Sequence, residues 1–294
     1  MSHDVLQALA IFAAGLAAGT INTVVGSGTL ITFPTLLALG YPPVLANVSN
    51  NIGLVPGTAS GAHGYRAELT GQRRRVIRLG VASLCGGLVG AILLLVLPAG
   101  AFKAIVPVLI AIALLMVVFQ PRLSKWVARR QRAEAARAAD PDGDAGSGGA
   151  GPLGGAGPAG GPGAVGVVAP AAQDTAVQAG GPVLCVLVFL SGVYGGYFGA
   201  AQGVLLLGLM GVAFTDSMQR INACKNVLAG LVNGIAAIVF VVATHIDWGA
   251  AGLIACGAVL GGQLGARVGR KLPPWGLRVV IICVGVVALV KLLV

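Results

Sequence analysis

Apolar segments, most of them near twenty residues long, recur along this chain, and they confine it to a bundle of helices in a bilayer. They fall at 5–25, 29–40, 44–64, 77–97 and 101–119, then again at 182–201, 203–214, 220–244, 249–266 and 276–294. A helix needs about 20 residues to cross roughly 30 Å of hydrocarbon at about 1.5 Å per residue. Composition agrees: 56% of the residues are hydrophobic and 10% charged, with mean hydropathy +0.91. A soluble domain carries about 25% charged residues to wet its surface. The formal net charge of +10 would suggest nucleic acid in a soluble chain. In a membrane chain it is the Lys/Arg excess of cytoplasmic loops, so the expected partner is the lipid bilayer and not nucleic acid. The expected location is the plasma membrane, multi-pass.

The segments at 29–40 and 203–214 hold about twelve residues, or roughly 18 Å of helix, too short to span alone. They read as short crossings completed by irregular backbone, or as re-entrant pieces. Between the fifth and sixth segments, PRLSKWVARRQRAEAARAAD (121–140) carries six basic residues and one tryptophan. It reads either as a basic helix on anionic lipid or as a solvated extension of the preceding helix. Residues 141–163, rich in Gly, Pro and Ala, are expected to form flexible linker. The opening MSHDVLQAL lacks the basic region of a secretory signal, so the first helix is expected to be structural.

The two halves match at a fixed offset of 175 residues. Gly28 meets Gly203, Asn47 meets Asn222, Asn51 meets Asn226, and 29–40 falls on 204–215. Polar breaks and segment lengths agree together, which indicates a tandem duplication of five segments. The expected domains are a first repeat at 1–120, a cytoplasmic linker at 121–180 and a second repeat at 181–294. Charge decides their relative orientation. If the short segments re-enter, 12 Lys/Arg fall inside and six outside. If they complete crossings, 16 fall inside, only Lys103 and Lys291 fall outside, and Lys225 lies within a segment. The second arrangement obeys the positive-inside rule and makes the halves inverted repeats. The expected fold is therefore all-α, a polytopic transmembrane bundle of two inverted five-segment repeats, each with one short or broken segment.

The stretches VGSGTLITFPTLLALGYPPVLANVSN and GVYGGYFGAAQGVLLLGLMG each place a Gly-rich turn before a short apolar piece. This arrangement resembles the sulfite exporter TauE/SafE family, also called the toluene-sulfonate uptake permease group. The resemblance implies a plasma-membrane transporter for small organic or inorganic anions, often sulfur-containing ones such as sulfite or sulfonates.

The breaks themselves suggest an anion site. A helix interrupted at Gly26–Gly28 leaves N–H groups that hydrocarbon cannot satisfy, so the break must face protein or a watery cavity. The helix restarting at Thr29 aims free N–H groups and partial positive charge at that cavity. Gln202 and Gly203 do the same in the second half. Gly28 and Gly203 are expected to permit close approach to the broken backbone and to supply the turn conformation. Isolated glycines, as in LCGGLVGA, read instead as helix-packing positions. Asn47 and Asn51, and Asn222 and Asn226, are spaced i, i+4, so each pair shares a helix face. Asn50 joins the first cluster, with Lys225 in its matched place in the second. The candidate substrate-binding set is thus Gly26, Ser27, Gly28, Thr29, Asn47, Asn50, Asn51, Gln202, Gly203, Asn222, Lys225 and Asn226. The alternative for the asparagines is interhelical hydrogen bonding, and for Lys225 snorkelling to the interface.

All nine carboxylates lie in loops or at segment ends, so none is placed mid-membrane as in acidic relays. His63 and His245 lie at segment ends, and the five cysteines sit in apolar segments without CxxC spacing. No metal, cofactor or catalytic residue is expected, since GxSxG, HExxH and P-loop patterns are missing. The reading is a non-enzymatic secondary transporter of small anions, with a second copy of the chain as a further candidate partner. The alternatives are an anion channel and a non-transporting membrane scaffold recruiting a partner through 122–137.

Overall fold

The computed structural model describes residues 3–139, 181–214 and 216–268, and then 279, 282–284, 286, 287, 289 and 290. The expected linker at 141–163, most of the loop at 267–278 and much of the segment at 276–294 lie outside these. The regular elements are all helical. They are α1 (His3–Val24), α2 (Thr29–Ala38), α3 (Pro43–Gly64), a 3-10 turn (Arg66–Leu69), α4 (Arg73–Val96) and α5 (Ala99–Ala139). The second half adds α6 (Pro182–Tyr197), α7 (Gln202–Ala213), α8 (Met218–Ala243) and α9 (Trp248–Val268).

Local signals explain the helix starts. Pro43 and Pro182 stand in the first turns of α3 and α6, where a missing N–H costs nothing. Ser217 caps α8 by accepting from the Arg220 N–H, and Asp247 caps α9 through the Ala250 N–H at 2.8 Å. By length and composition α1, α4, the first part of α5, α8 and α9 can each cross a membrane. Helix α3 is as long, but its face buries Asn47, Ser49, Asn50, Asn51 and Thr58. Helix α5 runs unbroken through Pro121 to Ala139. Of the two readings of 121–140, the structure gives the helical extension.

Lipid tails are as apolar as leucine, so helices in a bilayer associate by close packing of small residues. Glycine contacts here also fix the direction of each helix. Gly15 of α1 and Gly53 of α3 both pack on Ile254 of α9, and Gly19 and Gly57 both pack on Ala258. Helices α1, α3 and α9 therefore run the same way, in register. Gly86 packs on Phe189 and Gly90 on Val193, so α4 and α6 run together. Ser83 donates to the Leu228 carbonyl and Gly87 packs on Val232, which adds α8 to that set. The sets oppose each other: Thr58 of α3 lies beside Gly230 of α8, while Tyr65, further along, clusters with Ala223, earlier in α8. Each set combines helices from both halves of the chain. The glycines of LCGGLVGA are packing positions.

After each break the chain turns back along the helix it has just left. Gly28 packs on Ala18, and the Gln202 side chain packs on Gly195. Because Gly53 is level with Gly15, α3 begins near the face where α1 begins. Helix α2 and residues 39–42 together complete that return. The basic residues flanking the α3–α4 turn gather at the opposite end. There Arg220 donates to the Thr70 carbonyl, and Asp216 pairs with both Arg75 and Arg220.

Candidate functional site

At the first break, the Val25 and Gly26 N–H groups still reach the Ile21 carbonyl, at 2.7 and 3.1 Å. Gly26 then turns left-handed, with φ +88°. At the second break, Gly199 closes α6 on the Tyr194 carbonyl, and Ala201 turns left-handed at φ +59°. Gly26 and Ala201 are 175 residues apart, so the turn recurs at the matched place. Gly28 is helical, at φ −59° and ψ −38°, which corrects the expectation that it supplies the turn. Its need is for space: a Cβ there would lie 2.6 Å from the Ala18 carbonyl oxygen. Gly203 likewise leaves room for the backbone of Gly26.

The two breaks touch. The Gly203 N–H donates to the Gly26 carbonyl at 3.1 Å. Around this contact the N–H groups of Ser27, Gly28, Thr29, Ala200 and Ala201 find no acceptor among the described residues. Several side-chain atoms are also buried without a hydrogen-bond partner: Ser27 Oγ, Gln202 Nε2, Asn51 Oδ1, Asn222 Oδ1 and Tyr197 Oη. Ser27 and Gln202 are themselves a matched pair, each opening a short helix. A polar atom left unpaired in an apolar medium costs a few kcal/mol, and Ser27 and Gln202 carry such atoms at the two breaks themselves.

The other candidates divide into two groups. In the first half, Asn50 works locally: Thr32 Oγ1 donates to its Oδ1, and its Nδ2 donates to Thr29 Oγ1 at 3.5 Å. Asn47 instead reaches across the molecule, donating to the Tyr197 carbonyl at 3.0 Å. In the second half, Asn222 and Asn226 both donate to the Thr23 carbonyl, at 3.1 and 3.3 Å. Lys225 donates to the carbonyls of Asn22 (2.8 Å) and Thr23 (3.3 Å). These carbonyls end α1, as Tyr197 ends α6, so each half's third helix caps the other half's first. Interhelical bonding is therefore part of what the asparagines do. Lys225 is 1% exposed and does not snorkel to water. Asn51 is buried but makes no hydrogen bond to the other candidates.

Tyr197 was not among the sequence candidates. It packs against Phe102 of α5, ring centroids 5.7 Å apart. Its match at the 175 offset is Asn22, a polar residue at the end of α1, and that correspondence was the signal for it. Two apolar grooves lie elsewhere. One of about 580 Å³ is formed by α5, α6 and α7, and one of about 330 Å³ lies between α2 and residues 283–287. Neither offers the convergent polar groups that fix a small ligand. Among the described residues no cluster of His, Cys, Asp and Glu could hold a metal ion.

Comparison with known proteins accords with this geometry. The profile of the family described as sulfite exporter TauE/SafE matches residues 11–292. The probable membrane transporter protein YfcA of Escherichia coli strain K12 is 25% identical over 300 residues, covering 96% of this chain and 88% of that protein. The probable membrane transporter protein ORF9 of Sinorhizobium sp is 32% identical over 105 residues, 35% of this chain and 40% of its own length. A probable membrane transporter protein of Haemophilus influenzae is 28% identical over 113 residues, 38% of this chain and 44% of that protein. No solved structure matches the chain. Its family, its apolar composition and its membrane-length helices make this an integral, multi-pass membrane protein, and the chain belongs to the sulfite exporter TauE/SafE family.

Proposed function

We propose that the protein is a secondary transporter of small anions, and that the anion binds where the two broken helices meet. The observation that carries this is the Gly203–Gly26 contact, ringed by backbone N–H groups without acceptors. Two helix N-termini converge there, each equivalent to about half a positive charge. Ser27 and Gln202 add side-chain donors, and Lys225 adds a cation beside the end of α1. No carboxylate among the described residues bonds to any of these. Donors outnumber acceptors, which suits an oxyanion.

The opposed directions of α3 and α8 support reading 1–120 and 181–294 as inverted repeats joined by a cytoplasmic linker at 121–180. Transporters built that way bind substrate near the midplane and expose it to each side in turn. The candidate site set is the one derived from sequence, with Tyr197 added. The family description and the names of the relatives support transport, and the family description's sulfite is the first anion to test. The test is uptake and efflux of labelled sulfite, thiosulfate and a sulfonate by vesicles containing the purified protein. Saturable flux with counterflow is expected. Single-channel currents without counterflow would make it a pore, and no flux of any probe would overturn the reading.

A further inference from the structure

Among the described residues no carboxylate bonds to the buried Lys225 amine. That amine meets two carbonyl oxygens of the last turn of α1 and nothing else. Titratable groups on the elements packed about α8 include Tyr65 at the end of α3, Glu68 in the 3-10 turn and Arg75 of α4. Cys224 lies beside Lys225 on α8 itself, and Arg267 stands in the last turn of α9. None of them hydrogen bonds to the Lys225 amine. Further along, Asp216 pairs with Arg75 and Arg220. The carbonyl end of a helix offers about half a negative charge. An ammonium there keeps a net positive charge, and an uncompensated buried charge costs several kcal/mol.

Two events remove that cost. The amine releases its proton, or an anion arrives. The hydrogen-bond count fits both. A neutral amine has two N–H groups, enough for the Asn22 and Thr23 carbonyls. The third N–H exists only in the ammonium, and it is free for a ligand. Asn22, whose carbonyl Lys225 holds, also borders Gly28 at the first break, beside Ala18. By linkage the anion raises proton affinity by the same factor as the proton raises anion affinity.

We infer that Lys225 carries the proton with which each anion crosses, so that a monovalent anion moves electroneutrally with one proton. This rests on the anion site proposed above. The loaded state holds the ammonium and the anion. On release, the anion leaves, the proton passes to water on the same side, and the neutral lysine returns. No net charge moves in either half of the cycle.

Isethionate is the probe, being a monovalent sulfonate that does not itself take up protons near neutral pH. In proteoliposomes with the voltage clamped to zero, an imposed pH difference is expected to accumulate it about tenfold per pH unit. Lys225→Arg holds its proton permanently. It is expected to retain reduced counterflow but lose all pH-driven accumulation. Wild-type counterflow without pH-driven accumulation would overturn the proton assignment alone, and undiminished accumulation by Lys225→Arg would overturn the residue. If neither isethionate, thiosulfate nor sulfite shows counterflow, the anion site itself fails. Should Lys225→Arg prove inactive, the protons taken up per isethionate by the wild type decide: one supports the inference, none contradicts it.

Discussion

At Gly26 and at Ala201, 175 residues apart, the backbone turns left-handed just before a short helix, and the second break adds a left-handed Gly199. The polar groups behind the two turns are not the same. Asn50 stays within its own half, tied to Thr29 and Thr32. Lys225, at the matched position, crosses to the other half and holds the end of α1. The duplicated feature is a left-handed residue before a short helix, and backbone N–H groups are left unpaired at both breaks. The charge occurs once. On the proposed reading, approximate symmetry supplies two opposed approaches to one place, and the single asymmetric Lys225 sets what that place attracts.

The severest way to break the comparison is to separate the two turns. Gly203→Leu and Gly28→Leu are each expected to cut transport about 100-fold or more, the scale that a misplacement of about 1 Å can reach. Gly252 has open space where a side chain would go, and Gly252→Leu is expected to transport normally. Uptake at matched surface expression checks all three. Activity in both Leu variants at the first two positions would show that the breaks do not line the site.

The next contrast sharpens the difference between Asn50 and Lys225. Lys225→Met keeps the apolar stem and removes the charge, and is expected to weaken anion affinity by about 1.5–3 kcal/mol. Asn50→Ala removes two local bonds and is expected to lower stability by about 1–2 kcal/mol, without altering the response to a pH gradient. Competition binding and thermal unfolding in detergent separate these outcomes.

Much of this was legible in the amino-acid pattern, and the exceptions have physical causes. The segments at 44–64 and 203–214 fall within a residue or so of α3 and α7, because hydropathy marks where a helix meets water. The continuation of α5 to Ala139 was one of two readings that the sequence left open. Pro121 and six basic residues read equally as a boundary, yet the helix continues through them. The pairing of α4 with α6, and of α1 with α9, was hidden. Every candidate face carries small residues, so composition does not choose among partners. Gly28 was correctly placed beside the break, but its role is spacing against Ala18, while Gly26 makes the turn. Nothing local distinguishes two glycines separated by one serine.

Smaller effects test the symmetry further. Asn47→Ala and Asn222→Ala each remove one cap reaching from one half to the other, and each is expected to cost about 0.6–2 kcal/mol of stability. Similar losses would mark the caps as equivalent, whereas a much larger loss in one would make that half the anchor. Smallest is Ala201→Gly. A left-handed alanine costs roughly 1–2 kcal/mol, partly offset by the greater freedom of glycine when unfolded. A net gain of about 1 kcal/mol is expected in thermal unfolding, bringing the second turn to the ease of the first.

The central claim is that the halves oppose each other across the membrane, so that their breaks meet from opposite sides. Pro42 and Ser217 test it most directly. They occupy matched positions, each precedes the third helix of its half, and both are exposed. Pro42→Cys and Ser217→Cys are introduced singly into a chain without its native cysteines and treated with a membrane-impermeant thiol reagent. The account predicts that Pro42→Cys is labelled in intact cells, and that Ser217→Cys is labelled only after the membrane is opened. Equal labelling of both from outside would place the matched connections on one face and contradict it.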